Sequence, residues 1–81
     1  MSIERTTIQK CILEVAGELL QMPVENIGID DPLSLYDFDS IKTISLMSEV
    51  EDRLEFDLDL MLLIECQTVN ELTNTIVKIL K

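Results

Sequence analysis

The sequence has no histidine and no tryptophan, only two cysteines, and six basic residues against 16 acidic ones in a chain of 81. Without histidine, neither a Ser-His-Asp nor a Cys-His catalytic arrangement can form within the chain. The net charge of −10 argues against nucleic-acid binding, which needs a basic face. An anionic membrane would repel the chain for the same reason. Partners that present Lys and Arg patches are favoured instead.

Long apolar runs are also missing. The longest covers residues 60–64, far less than a membrane-spanning helix needs, and Glu14 and Glu18 interrupt the first apolar stretch, unlike a signal peptide. Cys11 and Cys66 are too few for a zinc site; we expect two reduced core thiols, and a disulfide between them stays open. With 47% apolar residues and a mean hydropathy of +0.25, residues 1–81 are expected to form a single cytoplasmic domain.

The first half of the chain predicts a helix followed by a long loop. Apolar residues recur at helical spacing over residues 3–20, with Ser2 as a cap and Pro23 beyond the end. Residues 22–39 hold both prolines and four aspartates, which predicts a loop. A loop of this length in a compact domain is often functional. We expect its apolar residues to hold it against the core: Val24, Ile27, Ile29, Leu33 and Leu35.

A second helix is predicted over Ser40–Leu54, because Asp39 is a good N-cap and the following apolar residues share one stripe of a helical wheel. The stripe comprises Ile44, Leu46, Met47, Val50 and Leu54. Ile41 falls outside it, on the polar side of the wheel. That side otherwise carries Lys42, Ser45, Glu49, Asp52 and Arg53.

The second half of the chain completes the predicted bundle. Residues 59–65 are very apolar and predict one or two helical turns, although a short buried strand has the same pattern. Thr68-Val69-Asn70-Glu71 is a capping box that opens a last helix to Leu80. No helix this short is stable alone in water, so all must pack together. The predicted fold is all-α: a small antiparallel bundle of three main helices plus one short helix, with a long loop between the first and second helices.

One stretch indicates chemistry: Asp37-Phe38-Asp39-Ser40-Ile41, where the long loop meets the second helix. A phosphate on the Ser40 oxygen would lie at the positive end of the helix dipole, beside free backbone N–H groups. No histidine is present to activate this hydroxyl, which argues against an autonomous hydrolase. The pattern favours a serine that accepts a modification.

The Asp39-Ser40-Ile41 triplet resembles the Asp-Ser-Leu attachment motif of acyl carrier proteins. The likeness extends through Leu54-Glu55-Phe56-Asp57-Leu58 to Thr68-Val69, which resembles the start of the family's last helix. The resemblance implies that Ser40 carries 4′-phosphopantetheine, which holds acyl, aminoacyl or polyketide groups as thioesters. It implies a non-catalytic carrier that holds no metal of its own, with Asp39 close to the magnesium-dependent attachment chemistry.

The resemblance also implies partners: a phosphopantetheinyl transferase, and acyl-loading and condensing enzymes with basic patches, which a monomeric carrier meets in turn. Ile41, Glu49 and Asp52 are expected to form the contact face. An alternative interpretation is that the acidic residues simply form a solvated face. A cleft for the tethered chain is expected from residues that otherwise belong to the core: Ile44, Met47, Val50, Leu62 and Leu63.

Several residues depart from the usual fatty-acid-synthesis carrier. Lys42 and Ser45 stand where acidic residues are typical, and residues 60–64 are more apolar than the usual segment. Phe38, just before the Asp-Ser pair, resembles the residue context of carriers in polyketide pathways. These differences favour a specialised polyketide or nonribosomal-peptide pathway. The alternatives are a fatty-acid-synthesis carrier, or a small acidic helical adaptor or inhibitor that is never modified. Loss of function in Ser40→Ala distinguishes a carrier from an adaptor.

Overall fold

A bundle of α-helices makes up the computed structural model, which describes residues 4–55, 57–59, 61 and 65–80, with the backbone alone at Ser40 and Leu80. The helices are α1 (Arg5–Leu20), α2 (Ser40–Leu54) and α3 (Val69–Leu80), with short 3-10 turns at Val24–Asn26 and Leu33–Tyr36. α1 packs against both α2 and α3. The predicted helical bundle is confirmed, and α2 has the predicted bounds. Across those residues no strand occurs, and no helix is long and apolar enough to cross a bilayer.

All three helices and the long loop contribute to one core. Its buried apolar side chains are Ile8, Cys11, Ile12, Val15 and Ala16 of α1, Ile27 and Leu33 of the loop, Leu46, Met47 and Val50 of α2, and Val69, Leu72 and Ile76 of α3. Thr73 is also buried, and its hydroxyl donates to the Val69 carbonyl oxygen at 2.8 Å. The hydroxyl therefore enters the core with its hydrogen bond made.

The end of α1 depends on a close backbone approach. Gln21 adopts a left-handed conformation (φ 56°, ψ 45°), and its N–H donates to the Gly17 carbonyl oxygen. The Met22 N–H donates to the same oxygen at 3.0 Å. A Cβ on Gly17 would lie 2.9 Å from the Met22 carbonyl oxygen, so this turn needs a residue without a side chain. Pro23 follows and begins the loop.

The start of α3 follows the predicted capping signal with one difference. Thr68 Oγ1 accepts the Glu71 N–H at 3.0 Å, as a capping box requires. The Glu71 carboxylate accepts the N–H of Gln67, at 3.0 Å, rather than that of the capping residue. The Glu71 amide, which the helix leaves without an internal partner, and the Gln67 amide just before the helix are thereby satisfied.

Two expectations need correction. Leu35 does not hold the loop to the core, since it is 70% exposed. A 3-10 turn has about three residues per turn, so Leu33 and Tyr36 share its inner side and Leu35 points outward. α1 begins at Arg5 rather than at residue 3. Ser2 and most of the predicted short helix over residues 59–65 lie outside the described residues.

Candidate functional site

Asp39 caps the start of α2 with both its side chain and its main chain. Asp39 Oδ1 accepts the Lys42 backbone N–H at 2.9 Å. Thr43 donates to the Asp39 carbonyl oxygen through its backbone N–H at 2.9 Å and its hydroxyl at 3.0 Å. The predicted N-cap is therefore confirmed, and Ser40 is the first residue of α2.

Lys42 reaches back across this cap to the loop. Its ammonium donates to the Asp37 carbonyl oxygen at 3.0 Å. Asp37 ends the second 3-10 turn in a left-handed conformation (φ 61°, ψ 34°). Its N–H donates to the Ser34 carbonyl oxygen at 3.3 Å. The helical wheel places Lys42 on the polar side of the helix but does not reveal this contact. The tilt of helical side chains toward the N-terminus is the signal that could have revealed it.

The loop before Ser40 is also joined to α3. The Leu33 N–H donates to the Gln67 carbonyl oxygen at 2.7 Å, and the Asn70 N–H to the Ile29 carbonyl oxygen at 2.9 Å. The Asn70 amide also donates to Asp30 Oδ1 at 3.1 Å. These bonds tie both halves of the loop to the start of α3. The sequence did not single out Asn70, because its partners lie far away in the chain.

Tyr36 adds a bond within the loop that the sequence also did not reveal. Its hydroxyl accepts the Gly28 N–H at 3.0 Å and donates to Asp31 Oδ2 at 3.3 Å. The Tyr36 side chain therefore joins the second 3-10 turn to Gly28 and Asp31, earlier in the loop. Among the described residues, no three His, Cys, Asp or Glu side chains converge as a metal site would require.

Two apolar side chains lie exposed beside the start of α2. Ile41 is 75% exposed, as its place outside the apolar stripe predicts, and Ile44 is 52% exposed. The prediction that Ile44 belongs to the core is wrong. At ~100° per residue it lies roughly 100° around the helix axis from the middle of the buried stripe. Residues three apart are neighbours on a helix, so Ile41 and Ile44 form one exposed apolar edge.

The remaining residues of the expected cargo cleft divide into two groups. Met47 and Val50 are buried in the core, at 3% and 0% exposure. Leu62 and Leu63 lie outside the described residues. The assignment of these residues and Ile44 to a cargo cleft stays a prediction.

Glu49 and Asp52, expected on the partner face, are both exposed but lie in different surroundings. Glu49 Oε2 is 3.9 Å from Arg53 Nε, and the same guanidinium is 2.8 Å from Glu18 and 3.6 Å from Glu14. The hydrogen bond with Glu18 raises the pKa of Arg53. Asp52 instead belongs to an open acidic depression at the end of α2, lined by Glu51, Asp52, Glu55 and Asp57.

Cys11 lies beside the same ion pairs, on the buried side of α1. It is a free thiol, 8% exposed. Burial raises the pKa of the Cys11 thiol, the Arg53 charge opposes the rise, and the Glu14 charge adds to it. The environment therefore keeps this thiol protonated, as suits a core residue. The Sγ of Cys66 lies 3.4 Å from Thr75 Oγ1.

Comparison with known families gives one match that covers most of the chain. The family model described as the phosphopantetheine attachment site matches residues 11–76. No curated protein matches the sequence. The matched range includes the start of α2 and the whole of the loop before it.

Three solved structures share the fold. A free-standing peptidyl carrier protein from an Acinetobacter baumannii secondary metabolic pathway has a TM-score of 0.85 and 24% identity, over 96% of this chain and 98% of its own. BlmI, a type-II acyl carrier protein involved in bleomycin biosynthesis in Streptomyces verticillus, has a TM-score of 0.83 and 22% identity, over 95% and 90%. An acyl carrier domain of the CurA module from Lyngbya majuscula has a TM-score of 0.81 and 20% identity, over 98% and 80%.

Proposed function

The chain belongs to the phosphopantetheine attachment-site family of carrier domains, and we propose that Ser40 is the residue that bears its 4′-phosphopantetheine. The observation that carries this proposal is the position of Ser40 as the first residue of α2, directly after the Asp39 cap. The first amide groups of a helix have no partners within it and, with the helix dipole, favour a phosphate at that end. The residues on both sides, Asp39 and Ile41, are exposed, which leaves room for an attached group.

The chain supplies position rather than activation. It contains no histidine to act as a base for the Ser40 hydroxyl, so a separate transferase must activate it. When attached, the group supplies a terminal thiol that carries acyl or aminoacyl groups as thioesters. The bundle tethers that thiol to a recognisable surface, and the tether raises the effective concentration of the cargo at each partner enzyme. The chain therefore acts as a cosubstrate of other enzymes and catalyses no step itself.

The exposed edge of Ile41 and Ile44 is proposed as part of the surface that the transferase contacts. It follows Ser40 directly, and the acidic depression that includes Asp52 lies further along the same helix. A partner that combines an apolar contact with a basic patch complements both features. Charge attraction of this kind acts mainly on the association rate and weakens as salt increases.

A specialised biosynthetic pathway is proposed over fatty-acid synthesis. Lys42, Ser45 and Phe38 differ from the residues typical of fatty-acid carriers, and two of the structural neighbours come from secondary metabolism. The cargo that this pathway loads is expected to be an acyl, aminoacyl or polyketide group.

The proposal is tested by intact mass after incubation with coenzyme A, magnesium and a broad-specificity phosphopantetheinyl transferase. The wild-type chain and Ser34→Ala, a matched control in the same loop, are expected to gain one phosphopantetheine. Ser40→Ala is expected to gain none. With acetyl coenzyme A instead, the wild-type chain should gain an acetylated group whose acetyl is removed by hydroxylamine. No gain by folded wild-type protein with several transferases would contradict the proposal and favour an unmodified adaptor.

A further inference from the structure

We propose that Lys42 is a positioning residue: it holds the peptide before Ser40 in the shape that the modifying transferase binds. This inference rests on the proposed role of Ser40. Lys42 binds that peptide at two points, through its ammonium to the Asp37 carbonyl oxygen at 3.0 Å and through its backbone N–H to Asp39 Oδ1 at 2.9 Å. One residue in the first turn of α2 thus holds residues on both sides of Phe38.

The Asp37 end of this peptide needs an external partner. Asp37 is in a left-handed conformation, which costs an ordinary residue stability relative to a right-handed one. The Asp37 carbonyl precedes the start of α2 and therefore takes no part in the backbone hydrogen bonds of that helix. The Lys42 ammonium satisfies this oxygen from the helix side. The contact therefore couples a strained loop residue to the helix that begins at Ser40.

The Asp39 cap does not use the Lys42 ammonium. Its carboxylate bonds to the backbone of Lys42, whereas its carbonyl bonds to Thr43. Loss of the ammonium contact leaves these helix-side bonds in place and frees only the residues before them. The helix should therefore persist while the Asp37–Phe38 peptide gains conformations. A transferase that must dock on both the loop and the helix would then meet a less ordered acceptor.

An alternative role for Lys42 is direct contact between its charge and a carboxylate of the transferase. The two roles differ in their dependence on salt. A contact between exposed charges on two proteins is screened as ionic strength rises. The contact within the carrier joins the Lys42 ammonium to a neutral carbonyl oxygen at 3.0 Å, well inside the screening length of ~8–10 Å, so its loss should reduce loading about equally at low and high salt.

The test compares Lys42→Met, which keeps the aliphatic stem, with Lys42→Arg, which keeps a charged donor, and with Lys10→Met, a matched loss of charge on an exposed face of α1. The first measurement is amide hydrogen exchange of unmodified protein by NMR. Lys42→Met should speed exchange of the Asp37 amide, which donates to the Ser34 carbonyl oxygen at 3.3 Å, by about fivefold, the equivalent of the ~1 kcal/mol that a net hydrogen bond contributes. Lys42→Arg should restore most of the protection, and Lys10→Met should leave it unchanged.

The second measurement is kcat/KM for phosphopantetheine transfer at low and high salt. Lys42→Met should lose about fivefold at both, the same fold-change as in exchange. Unchanged exchange of the Asp37 amide, or a loss of rate that disappears at high salt, would overturn the positioning role. If the wild-type chain is not modified at all, the proposed function fails. The exchange experiment reports the Lys42 contact independently of that outcome.

Discussion

Asp39 Oδ1 accepts the backbone N–H of Lys42 at 2.9 Å, and this bond fixes where α2 begins. A local, charge-assisted hydrogen bond therefore determines the boundary between the loop and the helix. It places Ser40 at the first helical position. Capping and the proposed attachment chemistry thus depend on the same short stretch of chain, and variants of Asp39 can separate them.

Asp39→Ala is expected to destabilise the protein by about 1 kcal/mol, because the Lys42 N–H loses its partner. In a domain of this size that loss lowers Tm by roughly 4–8 °C. Asp39→Asn keeps an acceptor oxygen and should retain most of the stability. Thermal unfolding by circular dichroism measures both variants. Equal destabilisation by Ala and Asn would show that the charge, rather than the cap, carries the effect.

The two apolar faces of α2 should respond differently to truncation. Leu46 is fully buried and Ile41 is 75% exposed. Leu46→Ala should cost roughly 2–5 kcal/mol of unfolding free energy, because it leaves a cavity in the core. Ile41→Ala should change stability by less than ~0.5 kcal/mol. Urea unfolding measures both.

Ile41→Ala should nevertheless lower kcat/KM for transfer of phosphopantetheine, because the proposed transferase contact loses apolar area. Glu25→Gln, an exposed change in the first part of the loop, serves as a control for general surface effects. Loading of Ile41→Ala at the wild-type rate would remove Ile41 from the proposed contact surface.

Gly17→Ala should destabilise the protein although alanine favours helix by ~1 kcal/mol. The new Cβ would lie 2.9 Å from the Met22 carbonyl oxygen, so the turn that ends α1 must shift. Such overpacking costs roughly 1–3 kcal/mol. The comparison is with Lys10→Ala, at an exposed position of α1. A Tm for Gly17→Ala at or above the wild-type value would contradict the close approach.

The raised pKa of Cys11 predicts a loss of stability at alkaline pH. The folded state holds the thiol proton more tightly than the unfolded state, so this contribution is fully present below the ordinary thiol pKa of about 8.5 and declines above it. Cys11→Ala should remove the part of the alkaline decline in unfolding free energy that Cys11 causes. Cys66 is present in both the wild-type protein and the variant, so its contribution cancels. Urea unfolding at a series of pH values from neutral to alkaline measures it. Parallel curves for the two proteins would contradict the prediction.

Local signals in the sequence were sufficient for the elements that position Ser40. A cap at Asp39 and an apolar stripe predicted both bounds of α2, and Thr68 and Glu71 predicted the start of α3. These signals act within one helical turn, so they do not depend on how the chain folds back on itself.

The contacts that the sequence did not reveal join distant parts of the chain. The Arg5 guanidinium bonds to the side-chain oxygens of Asn70 and Asn74, and the Asn70 amide bonds to Asp30 across 40 residues. Their partners are set by how α1, the loop and α3 come together. The error at Ile44 has another origin: a wheel identifies a stripe but not how far the neighbouring helices cover its edges.

The most direct test of the account is to locate the modification on the wild-type chain by tandem mass spectrometry. After transfer from coenzyme A, trypsin releases residues 11–42 as one peptide that contains Ser34 and Ser40 as its only serines. Fragment ions are predicted to place the phosphopantetheine on Ser40 and to leave Ser34 unmodified. A phosphopantetheine on any other residue, or an unmodified peptide from folded protein, would contradict the central claim.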